Sequence, residues 1–280
     1  MRATRLTQLL QAIDRLHPLP GNVTRILRAL EEPDTTASLL AELIGLDQAL
    51  ASQVLHMANA ASLGYAPECT TLHAAIMRLG FKRIKTLVMG AAVSNQLNRG
   101  LPGYRLGPGQ LWNHAVASAT LAQWLAHRFN YPNPEEAYIG GLLHDIGKLL
   151  LDQYLLLDYQ SFLDMVHTKK TLLWQAEETL IGLNHAQVGG MMAEKWSFPS
   201  VLVEAIRYHH APSLSFEHPR LAAIVNLASA IATRDTIGIT DPYGDIPHPE
   251  ALAILHLSTA DYERLRDQAY RYLVNQPQSS

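Results

Sequence analysis

The sequence has 280 residues, of which 48% are hydrophobic and 17% are charged, and this composition excludes an intrinsically disordered chain. The formal net charge of −3 argues against a strongly basic nucleic-acid-binding protein. The charge is uneven, because residues 1–108 hold 11 Lys and Arg against 7 Asp and Glu, whereas residues 109–280 hold 11 against 18. The single cysteine, Cys69, excludes an intramolecular disulfide and a cysteine-rich zinc site.

The chain carries no recognisable targeting or membrane-spanning pattern. Residues 1–16 mix charged and apolar side chains in an amphipathic run, unlike the apolar centre of a signal peptide. Other apolar runs are interrupted by charge before they reach the ~20 residues that cross a bilayer. We therefore expect a cytoplasmic protein without a membrane partner.

The spacing of apolar residues predicts α-helices almost throughout. Residues 72, 75, 76 and 79 follow the i, i+3, i+4, i+7 pattern, and residues 39–46 carry a similar stripe. Only the patch Ile237–Thr240 has the composition of a short strand. The sequence predicts an all-α fold of two packed helical modules.

Capping residues locate two helices. Asn133, Pro134 and Glu136 predict the start of a helix that continues to about Tyr154. In the same way, Ser258 and the residues after it predict a final helix towards Leu273.

Two segments rich in Gly and Pro, 99–109 and 236–249, are typical of connectors. The first lies where the charge balance changes sign. We predict a helical module over residues 1–105, a second over 110–235 that holds the candidate site, and a helical extension with a polar tail over 236–280.

The string GGLLHDIGK, residues 140–148, contains the most informative polar side chains. His144 and Asp145 are adjacent, and both can reach one metal ion placed between them, while the carboxylate can bridge two. Lys148, one turn beyond His144, can meet a phosphate oxygen. An unpaired aspartate in so apolar a segment is costly to bury, which favours a ligand over a chance pair.

Four further histidines complete a candidate metal site: His114, His185, His209 and His210. Neutral imidazoles with one carboxylate suit a divalent ion, with iron, manganese and zinc all compatible and iron slightly favoured by mixed N/O ligation. Glu178 is open to two interpretations, as a residue that holds an imidazole N–H or as a surface acid. The four tryptophans are interpreted as core residues, although Trp112 can also wall the site. The remaining histidines are interpreted as ordinary core or surface residues: His17, His56, His73, His127, His167, His218, His248 and His256.

This order of residues resembles the HD superfamily of metal-dependent phosphohydrolases, and the chain as a whole is similar to HDOD domain proteins. In the second half the resemblance rests on the histidines, Asp145 and Lys148. In the first half it rests on LHPLP at 16–20, residues 39–62 and residues 71–87. It covers about residues 10–235.

The resemblance implies an all-helical, mostly bacterial regulatory protein, linked to signalling and often lacking metal ligands. This chain keeps most ligand positions, but Ser229 stands where the superfamily has an aspartate. Gln110 stands where the cyclic-dinucleotide phosphodiesterase branch has a glutamate ligand, and the extension of that branch after its histidine pair is missing. Gln48 replaces a family proline.

Three functions follow as hypotheses. The first is a regulatory protein with a partial metal site that binds a protein partner or a nucleotide ligand. The alternative is a metal-dependent phosphohydrolase acting on a nucleotide, in which Asp145 and Lys148 are the catalytic candidates. DNA binding through residues 39–59 is disfavoured, because the candidate recognition stretch, 47–60, contains no Lys or Arg.

Overall fold

The fold is all-α, as the sequence predicts. The computed structural model describes residues 2–16, 19–59, 69–235 and 246–275. These residues form fifteen α-helices, and within them the only β-type pairing is the isolated bridge between Leu101 and Leu106. The strand-like patch Ile237–Thr240 lies outside the described residues.

Helices α1 to α5 occupy the first third of the chain. Their bounds are α1 Arg2–Asp14, α2 Gly21–Glu31, α3 Ala37–Gly45, α4 Gln48–Ala58 and α5 Leu72–Leu97. The remaining helices are α6 Gln110–Arg128, α7 Pro134–Leu143, α8 Lys148–Leu156, α9 Tyr159–Leu163, α10 Leu173–Leu180, α11 His185–Lys195, α12 Ser200–Arg207, α13 Pro219–Asp235, α14 Pro249–Ile254 and α15 Thr259–Val274. None of the described helices is long and apolar enough to cross a membrane.

The chain forms two compact units. One comprises residues 17–95, and the other comprises residues 1–16 together with residues 96–280. The candidate site lies entirely in the second unit. The bounds expected from the sequence, 1–105, 110–235 and 236–280, stay a prediction.

The unit of residues 17–95 buries the apolar stripes that the sequence predicts. In α3, Leu40 and Ile44 are fully buried, and in α5 Ala75 and Ile76 are fully buried. Helix α5 is kinked at Gly80, whose φ of 76° lies in the left-handed region that glycine occupies at little cost.

The core of the other unit is built around α6 and α13. Small side chains let the helices pack closely, and α6 lies against both α7 and α13. Helix α15 closes this core. It begins with a capping box between Ser258 and Asp261, so the predicted final helix is confirmed.

The prediction of one helix from Asn133 to about Tyr154 is wrong. Helix α7 begins at Pro134 as expected but ends at Leu143, and α8 starts only at Lys148. Between them the backbone tightens into bonds of the i→i+3 type, from the Lys148 N–H to the Asp145 carbonyl for example. The turn allows Gly147 to pack against α11, where a Cβ would lie only 2.0 Å from the His185 carbonyl oxygen.

Gly147→Ala should therefore destabilise the protein by about 2 kcal/mol, because the new methyl group forces the α7–α8 turn away from α11. Gly21→Ala is the matched control, since a Cβ at Gly21 meets nothing within 4 Å. The control should leave the free energy of unfolding unchanged or raise it by up to about 1 kcal/mol. Urea denaturation measures both, and equal effects of the two variants would contradict the close approach.

Candidate metal centre

Six predicted ligands lie together in the second unit. His114 lies on α6, His144 and Asp145 in the α7–α8 turn, and His185 at the first position of α11. His209 and His210 directly follow α12. Five of these side chains are buried and His210 is partly buried. They form two groups whose ligand atoms lie within 4.8 Å of one another: His114, His144 and Asp145, and His185, His209 and His210.

Asp145 lies between the two groups. Its Oδ1 is 3.2 Å from His185 Nε2. Its Oδ2 is 3.6 Å from the Nε2 atoms of both His114 and His144, and it accepts a 2.7 Å hydrogen bond from Lys148 Nζ. One buried carboxylate therefore faces both groups of imidazoles, one oxygen to each.

Hydrogen bonds fix the tautomers of three imidazoles. Nδ1 of His144 and Nδ1 of His209 lie 2.7 Å and 2.8 Å from the carbonyl oxygen three residues earlier in each case. Nδ1 of His185 lies 2.8 Å from the Glu177 carboxylate. Since these oxygens only accept, each Nδ1 carries the proton and each neutral ring offers its Nε2 lone pair. This is the arrangement that orients metal-binding histidines.

The Nε2 atoms converge on one another. His185 Nε2 is 2.9 Å from His210 Nε2, and His114 Nε2 is 3.3 Å from His144 Nε2. Lone pairs brought this close require a shared proton or cation. His209 Nε2 is buried without a hydrogen-bond partner among the described residues. Both observations fit a site that accepts a metal ion.

Burial keeps most of these imidazoles neutral. It lowers the pKa of His114 to about 3 and lowers the pKa values of His144, His209 and His210. Burial also disfavours charge on His185, but the Glu177 carboxylate outweighs it and raises the pKa of that ring.

The aspartate is held as a carboxylate. Burial alone raises the pKa of Asp145, but the neighbouring His144, Lys148 and His185 hold it well below its usual range. The carboxylate and the four imidazoles whose pKa values are lowered are thus held in the forms that bind metals.

Glu177 is a functional residue that the sequence analysis missed. It is fully buried on α10 and accepts hydrogen bonds from both the backbone N–H and Nδ1 of His185, at 2.7 Å and 2.8 Å. Glu178, the residue considered from the sequence, accepts a hydrogen bond from Asn184 Nδ2 instead. Helical spacing from Leu173 and Ala176 places Glu177 on the buried face of α10, and this was the available signal.

Two aromatic residues also support the site. The Tyr104 hydroxyl donates a 2.9 Å hydrogen bond to Glu177, although Tyr104 lies in the segment interpreted as a connector. Trp174 stacks on His210 with ring centroids 5.7 Å apart and 18° between the planes. Trp112, which the sequence analysis considered as a wall, is partly buried on α6.

The two departures from the superfamily pattern have different surroundings. Ser229 Oγ on α13 lies 3.4 Å from His114 Nε2, so the serine is at the edge of the first group of ligands. Ser118 Oγ lies at the same distance from that nitrogen. Gln110 is engaged elsewhere, because its Oε1 accepts a 2.6 Å hydrogen bond from the Gly107 N–H.

A sequence model of the HDOD domain matches residues 16–212, a range that includes every predicted ligand. The chain belongs to the HDOD domain family. The match extends through both halves in which the sequence resembled HDOD proteins, and it ends two residues after His210.

The similarity to other proteins covers most of this HDOD chain but different shares of their own chains. A protein of Treponema pallidum is 27% identical over 241 residues, which are 84% of this chain and 45% of that protein. This chain thus spans about half the length of its curated relative. The structure of a candidate phosphohydrolase from Shewanella amazonensis is 26% identical, with a TM-score of 0.71 over 94% of this chain and 93% of that one. A candidate signal transduction protein from Marinobacter aquaeolei is 25% identical, with a TM-score of 0.72 over 98% of this chain and 64% of that one.

Glu177→Gln should weaken metal binding about 10- to 100-fold, the usual range for a residue that orients a ligand. The neutral amide has only one oxygen, so it cannot replace the carboxylate that accepts hydrogen bonds from both N–H groups of His185. Its neighbour supplies the control. Glu178→Gln changes the charge equally but leaves His185 untouched, and it should bind metal as the parent protein does. Competition with a metal indicator measures the two affinities, and equal losses would show that Glu177 has no special role.

Proposed function

We propose that this HDOD protein is a regulatory protein that holds one divalent metal ion and acts by binding a ligand or a protein partner, without rapid turnover. The observation that carries this proposal is the unequal state of the two oxygens of Asp145. One oxygen lies 3.2 Å from Nε2 of His185, which belongs to the group with His209 and His210, and the other accepts a hydrogen bond from Lys148.

The group on the Oδ1 side supplies three imidazoles. The ligand atoms of His185, His209 and His210 lie within 4.8 Å of one another, and Asp145 Oδ1 lies 3.2 Å from His185 Nε2 at the edge of this group. Imidazole and carboxylate are ligand types that bind zinc, iron and manganese. Glu177 and the carbonyl behind His209 orient two of these rings. We assign the retained metal position to this group.

The group on the Oδ2 side is weaker. His114 and His144 face an oxygen that already accepts a hydrogen bond from Lys148 at 2.7 Å. Ser229 adds only a neutral hydroxyl at the place of the superfamily aspartate, and a hydroxyl is a poor ligand at neutral pH. A second ion would therefore be bound by two imidazoles and by one oxygen of a carboxylate that it shares with the first ion.

The alternative function is a phosphohydrolase acting on a nucleotide. The presence of two groups of candidate ligands favours it, and so does the buried side chain of Lys148. The name of the Shewanella protein, a candidate phosphohydrolase, also favours it. A bound divalent ion supplies Lewis-acid polarisation of a phosphoryl oxygen and a more acidic water. In this alternative Lys148 holds phosphate and Asp145 is shared between two ions.

Metal titration distinguishes the two positions. We expect one tightly bound ion per chain, measured by elemental analysis after reconstitution with manganese, iron or zinc. His209→Ala should abolish tight binding, because it removes one of the three imidazoles of the retained position.

His114→Ala is the matched control, since both histidines are buried and the substitution is the same. It should retain one ion per chain. Loss of the ion in His114→Ala with retention in His209→Ala would reverse the assignment, and two tightly bound ions in the parent protein would refute the single-ion proposal.

Ser229→Asp should raise the metal content towards two ions per chain and raise phosphodiester hydrolysis about a hundredfold from a low parent rate. The reason is that a single preorganised electrostatic contact to charge developing in the transition state is typically worth about 2.7–4 kcal/mol, and a second ion would add at least one such contact. The rate of hydrolysis is measured with each member of a panel of nucleotides. A parent protein that already works at ordinary enzymatic rates, and loses them in Asp145→Ala, would replace the regulatory proposal with the hydrolase.

A further inference from the structure

A cavity of about 320 Å³ lies beside the metal ligands, near the lower end of the range for small-molecule sites. His210 and Ser229 form part of its wall, and the rest comes from neighbouring residues of α13 and from two other segments of the same unit, 170–174 and 246–249. Its lining residues are Lys170, Leu172, Trp174, His210, Asn226, Ser229, Ala230, Ile246, Pro247, His248 and Pro249.

The charge of this lining differs from that of its surroundings. Residues 109–280 carry 18 Asp and Glu, yet the lining contains one lysine, two histidines and no carboxylate. Asn226 accepts the His248 N–H through Oδ1, which leaves its Nδ2 hydrogens as the donors of that amide. A cation and amide donors without an acid favour an anionic ligand.

Lys170 stands in an unusual backbone conformation. The chain before it, Asp164–Thr168, is a π-helical turn, and the Thr171 N–H closes the segment on the Met165 carbonyl. Lys170 has a φ of 55°, in the left-handed region where a helix end usually carries glycine. Lys170 therefore contributes to the cavity lining from a backbone conformation that is sterically costly for a residue with a Cβ.

The apolar part of the lining includes one tryptophan and two prolines. Trp174 is held by its stacking on His210, and Pro247 and Pro249 stand on the adjoining wall. Indole rings bind planar bases by stacking, with little dependence on the identity of the base.

We propose that this cavity binds a nucleoside monophosphate, with Lys170 contacting the phosphate and Trp174 stacking on the base. This inference deepens the ligand-binding role proposed above by naming the class of ligand and the residues that select it. It does not depend on the metal ion, because Lys170 and Trp174 are outside the ligand set.

Titration calorimetry with guanosine 5′-monophosphate, guanosine and inorganic phosphate tests the proposal, on both metal-stripped and manganese-loaded protein. The nucleotide should bind more tightly than either fragment. Lys170→Met should weaken nucleotide binding about tenfold, which corresponds to the loss of one charge-assisted contact, and should leave guanosine binding unchanged.

Two further variants separate this role from general effects. Lys169→Met removes the same charge one residue earlier, from a lysine that is paired with Asp164 and does not line the cavity, so it should bind the nucleotide as the parent does. Lys170→Gly suits the left-handed backbone and should fold at least as stably as the parent protein, yet it should lose nucleotide affinity as Lys170→Met does.

Unchanged nucleotide affinity in Lys170→Met, equal losses in Lys169→Met, or phosphate binding as tight as nucleotide binding would each overturn the proposal. Failure of the parent protein to bind the nucleotide in either metal state would also overturn it. Metal content is measured on the same samples. If the protein takes up no metal but binds the nucleotide through Lys170, this inference stands and the metal proposal is refuted. If it takes up metal but does not bind the nucleotide, the metal proposal stands and this inference is refuted.

Discussion

The buried carboxylate of Asp145 is the interaction on which the site depends. A lone carboxylate in so apolar an environment carries a desolvation cost of several kcal/mol, and proteins retain one only when charge and hydrogen bonds compensate it. Here Lys148 bonds one oxygen at 2.7 Å, and imidazoles from three helices or turns surround both oxygens. Asp145 lies in the i→i+3 turn after α7, and Gly147, which has no Cβ, allows this turn to pack closely against α11.

A second buried carboxylate extends the same logic outward. Glu177 binds His185 from behind and receives the Tyr104 hydroxyl, so a chain of contacts runs from Tyr104 through Glu177 and His185 to Asp145. The Glu177 carboxylate raises the pKa of His185 against the opposing effect of burial, so it favours a proton on that ring. A divalent ion bound there would need the neutral ring, so metal uptake would be linked to proton release.

The sequence predicted well what depends on periodicity and local motifs. The all-α fold, the start of α7 and the capped α15 followed from apolar spacing and cap residues. The continuous helix through His144 was wrong because a tight turn with α-like dihedral angles has the same apolar pattern as a helix. What distinguishes them is the close approach of Gly147 to a backbone about 40 residues later in sequence, and no local pattern records such a contact.

The same limit explains the support residues. Neighbouring Glu177 and Glu178 have the same charge and nearly the same local context, and only the position of α11 decides which one reaches His185. Lys170 and Trp174 became informative only when the fold placed them beside His210. The ligand set itself stays a prediction, since the geometry brings its members together without assigning an ion to them.

The asymmetry around Asp145 separates binding from turnover in physical terms. Phosphoryl transfer gains most when positive charge is fixed on both sides of the reacting group, and an ion with incomplete ligands contributes least where charge develops. Ligand binding has no such requirement, because one ion, an ammonium and a stacking surface would suffice for charge and shape complementarity. Lys148 neutralises Asp145 where a second ion would do so, with a fixed single charge that needs no metal supply. In the function proposed above, such a site would hold a phosphate ligand for a partner to detect and would lack the second charge that cleaves it.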